Sequence, residues 1–238
     1  MTELDWQRCE DASVLLAWLE SQLLVDSRKL RLFVAGACLL ARQHLHPGVV
    51  HLLELVEAEV CAGRSQPGRP MGCSSAFHDA LLALRHESLS SLDEEARSLA
   101  CWILHGVSKA NHCAAAVRYL CPPLTTEMLA ELTRDLFGNP FHKVRQVRGE
   151  LSARLAAKHA PARAGELLFV RDWLHWNRGL LVQLAQGIEE DRAYDRLPIL
   201  GDALEEAGCN EPLLLEHCRH APLHSRGCWV VDLILNRT

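Results

Sequence analysis

Apolar residues recur every three or four positions along most of this chain, and runs that alternate apolar with polar are scarce. That periodicity lays a stripe down one face of a helix, whereas a half-buried strand needs a repeat of two. It predicts an all-α protein, either a bundle or an irregular stack of about ten helices resembling a helical repeat. Asp11 or Ser13 is placed to cap a helix through about Leu24, and Asp26-Ser27 to open a second through about Leu45. The second is apolar nearly all round from Leu32 to Leu39, the pattern of a buried central helix. A third runs from Val49 to Cys61, and Ser91-Leu-Asp-Glu94 has the spacing of a capping box for a helix to about His105. Further helices are expected at about Ser108–Leu120, from Thr125 or Thr126 to Phe137, then at Val144–His159, Leu167–Trp176, Leu180–Asp191, Pro198–Ala207 and Glu211–Cys218. The apolar segment Cys228–Leu235 suits a short helix.

The stretch Gly63–Cys73, with three Gly and two Pro, reads as a loop. It divides the chain into an N-terminal helical segment, 1–62, and a longer helical region, 75–238, unless 1–238 is one domain. With 238 residues, 49% of them apolar and 23% charged, the chain has enough material for a substantial core and is not of the disordered class. Its net charge of −5 disfavours nucleic acid and anionic membranes as partners. The acidic start Met1-Thr-Glu-Leu-Asp-Trp6 has no secretory character, and the longest uncharged apolar run, Leu32–Ala41, is too short to span a bilayer. A cytoplasmic location follows as the expectation, with the ten Cys largely reduced.

Several stretches carry more than periodicity. They are Met1-Thr-Glu-Leu-Asp-Trp-Gln-Arg-Cys9, Arg28-Lys-Leu-Arg-Leu-Phe33, Arg134-Asp-Leu-Phe-Gly-Asn-Pro-Phe141, Ala193-Tyr-Asp-Arg-Leu-Pro-Ile-Leu200, Asp202-Ala-Leu-Glu-Glu-Ala-Gly-Cys209 and Arg226-Gly-Cys-Trp-Val-Val-Asp-Leu233. Together they resemble a family of uncharacterised proteins abundant in planctomycete bacteria of the Gemmata type. The likeness covers both ends of the chain and leaves residues 46–125 unmatched. Residues 195–208 are also similar to a short bacterial repeat-companion module. The family carries no activity across; members that look joined to interaction or immunity-type domains imply an adaptor role. After Phe141 the family continues in an extended stretch containing Arg-Pro, where this chain reads as basic and helical.

No phosphate-binding glycine loop, nucleophile elbow or His-Glu-x-x-His motif is present, which lowers the expectation of an enzyme without excluding one whose site is assembled from scattered residues. The densest chemistry is C-terminal: Cys209, His217, Cys218, His220, His224, Cys228 and Asp232. Thiolate and imidazole are zinc's preferred donors, and Cys209, Cys218, His224 and Cys228 form the expected ligand set. Against it stand the wide Cys spacing and the commoner fate of such cysteines as core residues. Cys101 and His105, one helical turn apart with His112-Cys113 following, form a weaker pair. The basic run His142, Lys143, Arg145, Arg148, Arg154, Lys158 and Arg163 faces either an acidic partner or the chain's own acidic stretch from Glu189 to Glu206. Trp173 and Trp176 line either a partner groove or the core. The expected function is a non-catalytic protein-interaction module, with Trp173, Trp176, Arg145 and Arg148 as contacts and another protein as partner. No cofactor is required on this reading. The alternative is a zinc-stabilised domain.

Overall fold

The computed structural model describes residues 1–61, 75–105, 124–147 and 166–237. The expected helices Ser108–Leu120 and the loop Gly63–Cys73 lie outside them. The fold is all-α in class, built among the described residues from eleven α-helices, short 3-10 turns and one two-stranded ribbon. It divides into two compact units, Met1–Leu136 and Phe137–Thr238.

The first unit contains α1 (Glu3–Arg8), α2 (Ala12–Ser21), α3 (Ser27–Leu40), α4 (Pro47–Cys61), α5 (Ser75–Ala83), α6 (Ser91–His105) and α7 (Thr126–Phe137, whose last residue falls in the second unit). Asp11 and Asp26 cap α2 and α3 as expected, accepting from the backbone N–H of Ser13 at 2.8 Å and Arg28 at 3.0 Å. Every residue of α3 from Lys29 to Cys38 is buried, so α3 is the central helix, packed against both α4 and α6. It stops at Leu40, with a 3-10 turn over Arg42–His44 taking the remaining residues of the expected span. Helices α5 and α6 pack on α4, so the elements on either side of residues 62–74 share one core. The division between units falls at the last residue of α7 and not at the Gly/Pro-rich stretch.

The second unit contains β1 (Lys143–Val147), β2 (Glu166–Val170), 3-10 turns over Arg171–Arg178, α8 (Leu180–Asp191), α9 (Leu197–Glu206), α10 (Pro212–His220) and α11 (Trp229–Ile234). The strands pair in parallel, from Lys143 with Glu166 to Val147 with Val170. Helices had been expected at both places. Val144 and Val147 are three apart, the spacing of a helix face, but β-branched residues favour strand. Leu167 to Val170 is a continuous apolar run, which suits a buried strand as well as a helix. The chain is thus extended over Lys143–Val147.

The core of this unit gathers Phe169, Trp173, Leu181, Ile188, Leu200, Leu204, Leu214 and Val231 with their neighbours. Helix α9 can lie close to α10 because Gly201 has no side chain: a Cβ there would stand 3.0 Å from Cys218 Cβ. The turn after α7 depends on Gly138, whose φ is +68° and whose Cβ would stand 3.1 Å from the Trp229 ring. Among the described residues no helix is long and apolar enough to cross a membrane.

Candidate functional site

The C-terminal Cys/His cluster is partly assembled. Leu214 and Cys218, four apart on α10, are both buried and define the helix's core face. His217, one position before Cys218, stands off that face and is half-buried. The chain leaves α10 at Ala221 and returns through a turn in which Gly227 has φ +90° and the Cys228 N–H donates to the Ser225 carbonyl at 3.0 Å. That turn delivers Cys228, fully buried, to His217: Nε2 and Sγ are 3.1 Å apart. His224, in the loop between them, sets its ring edge-on to His217 at 4.9 Å between centroids. The Trp229 ring also lies against His217, with 5.2 Å between centroids. One donor atom from each of His217, His224 and Cys228 lies within 4.8 Å of the others.

The expected zinc set of Cys209, Cys218, His224 and Cys228 is corrected by this arrangement. The grouping includes His224 and Cys228 but neither Cys209 nor Cys218, and His217 joins it. Cys218 packs against Gly201. Cys209 is buried after α9, and burial pushes its thiol up to about 11, which disfavours the thiolate a metal needs. His217 was visible within the cluster but had no spacing signal of its own; its position depends on how the turn at Gly227 closes.

The expected partner contacts fare differently. Trp173 is a core residue, edge-to-face with Phe169 at 5.5 Å. Trp176 does not continue the same helical face, because the helix breaks there: its ψ is 138°, and Asn177, Arg178 and Gly179 all have positive φ. It packs, partly buried, against the same core. Arg145 lies on β1 with its side chain outside the described part, and Arg148 lies outside the described residues altogether, as do Arg154, Lys158 and Arg163. Among the described residues, parts of the acidic stretch pair with arginines of the same unit. Arg219 pairs with Asp202 at 2.7 Å and with Glu205, and both carboxylates hold its guanidinium above its ordinary value. Buried Glu189 takes Arg237 at 2.6 Å, and its backbone carbonyl accepts from Arg226 at 2.7 Å. Cys101 is half-buried in the wall of a groove of about 390 Å³ between α5 and α6; the side chain of His105, and His112 and Cys113, lie outside the described part.

One surface feature of the first unit had no sequence signal. Helix α2 ends in a Schellman motif, with the Leu24 N–H donating to the Leu19 carbonyl at 3.0 Å and the Leu23 N–H to the Glu20 carbonyl at 3.1 Å. The left-handed position of that motif, where Gly is favoured, is held by Leu23 at φ +56°. Its side chain is 92% exposed, and Leu24 beside it is 48% exposed.

No protein-family model, curated protein or solved structure matches the chain.

Proposed function

We propose that the chain is a non-catalytic interaction module of the cytosol that docks on another protein through the turn between α2 and α3. The observation that carries this reading is Leu23. A left-handed residue other than Gly costs about 1–2 kcal/mol, and a leucine side chain left in water recovers none of it within its own fold. Backbone strain of this kind persists where function needs the side chain, and leucines held out from a rigid turn are suited to fill an apolar pocket on a partner. The polar side chains favour the same reading, since Arg134, Asp93, Glu189 and Arg219 each hold one part of the chain to another. The resemblance to planctomycete modules joined to interaction domains agrees with an adaptor role.

The test places a photo-crosslinking side chain at position 23 of the full chain in extract of the source cells, followed by reconstitution with the captured protein. A single partner should be captured, and the purified pair should lose binding with Leu23→Gly while the variant unfolds at no lower urea concentration than the parent, its stability rising by up to ~1 kcal/mol. Binding that survives Leu23→Gly and Leu24→Ser contradicts the reading.

A further inference from the structure

We infer that His217, His224 and Cys228 bind a zinc ion that staples the end of α10 to the start of α11. The inference is independent of the docking surface, which lies in the other unit. Two imidazoles and a thiol are the donors that a borderline-soft divalent cation selects over carboxylate-loving Mg²⁺ or Ca²⁺. Their arrangement is already close to what the ion requires. Zn–S of about 2.3 Å and Zn–N of about 2.0–2.1 Å set the N···S edge of a tetrahedron at about 3.5 Å, against 3.1 Å between His217 Nε2 and Cys228 Sγ. The third donor, from His224, lies within 4.8 Å of both, and the ion requires it to move inward on binding.

The surroundings favour retention. Cys228 is fully buried, His217 and His224 are half-buried, and the Trp229 ring rests on His217, so the site is screened from bulk water on the protein side. The ligands come from a helix, a loop and the residue preceding a second helix. Binding therefore closes a segment of the fold that is otherwise held by short helices, and ligand energy becomes folding energy. The thiol loses its proton to solvent on binding, and no redox change is involved.

The full chain, stripped with chelator and dialysed, is titrated with zinc and, separately, with cobalt(II). The expected results are one equivalent bound per chain, a melting temperature that rises on binding and falls again with chelator, and a thiolate-to-cobalt charge-transfer band. Cys228→Ser should abolish the band. His217→Gln and His224→Gln should each weaken binding by more than about a hundredfold, beyond the loss of an outer partner. Cys209→Ser and Cys218→Ala should keep both the stoichiometry and the band. Should Cys228→Ser fail to fold, the parent's own cobalt spectrum and His224→Gln still decide. No binding at micromolar metal, a spectrum without sulfur character, or binding that depends on Cys209 or Cys218 instead would overturn the inference and leave the cluster a hydrogen-bonded one only.

Discussion

Asp93 shows how a single carboxylate can serve two elements. Its Oδ2 accepts from the Ser90 hydroxyl at 2.7 Å and the Ser90 N–H at 3.2 Å, while Ser90 Oγ accepts from the Asp93 N–H, so these two residues form the capping box of α6. The pattern Ser91-Leu-Asp-Glu94 had suggested the same motif one residue later. Both spacings are equivalent locally, and the structure uses the earlier one, in which Oδ1 also accepts from the His46 N–H at 2.6 Å, at the start of α4. That donor is 47 residues away, so a local pattern cannot register it. Burial opposes the charge of Asp93, but the His46 and Ser90 donors outweigh it and hold the carboxyl below its ordinary value. A carboxyl more acidic in the folded state stabilises the fold at every pH above its unfolded value of about 3.9, and that contribution is lost as pH falls through the lower folded value. Asp93→Asn should therefore cost about 1–2 kcal/mol in urea unfolding at pH 7, with the gap to the parent narrowing below about pH 4. A gap that is the same at pH 7 and pH 3 contradicts the assignment. The C-terminal cluster teaches a similar lesson: its spacing puts Cys218 in the expected ligand set, whereas the structure buries Cys218 on the core face of α10 and the closed turn at Gly227 brings Cys228 to His217.

At the scale of elements, helices with a clean apolar stripe were readable and those sharing a strand's composition were not. Helices α2, α3, α8 and α9 begin within about two residues of where their caps and stripes predict, whereas β1 reads as helix from the three-residue spacing of Val144 and Val147, and β2 because a short apolar run carries no period of its own. Among the described residues, the hydrogen bond of longest sequence separation is also invisible to periodicity. The guanidinium of Arg134, on α7, donates to the Trp6 carbonyl at 3.0 and 3.2 Å and to the Cys9 carbonyl, and its other arm pairs with Glu131 at 2.7 Å. It thus caps the C-terminal end of α1 from 128 residues away, where a positive charge also complements the helix dipole. The start of the chain and the last turn of α7 meet through this side chain. Arg134→Ala should cost about 2–3 kcal/mol, and Arg134→Lys should recover little of it, since an ammonium cannot span both carbonyls and Glu131. Equilibrium unfolding measures the cost, and amide exchange over residues 3–9 should rise in both variants. Full rescue by Lys would show that charge alone suffices.

The whole molecule is where the sequence misled most about organisation and least about class. The all-α class follows from the periodicity and stands. The stretch Gly63–Cys73 draws attention as a boundary because Gly and Pro punctuate chains, yet punctuation separates elements as often as it separates domains. Helices α4, α5 and α6 form one core across it, while the division after Leu136 falls at the end of α7, just before a turn in which Gly138 has positive φ. That division also assigns the exposed Leu23 to one unit and the His217, His224 and Cys228 cluster to the other. Native-state hydrogen exchange in increasing urea tests it most directly, because each cooperative unit loses protection together. The described helices of residues 1–61 and 75–105 should merge into one unfolding isotherm, with α8 to α11 following another. Separate isotherms for residues 1–61 and 75–105 would contradict it and return the boundary to the Gly/Pro-rich stretch.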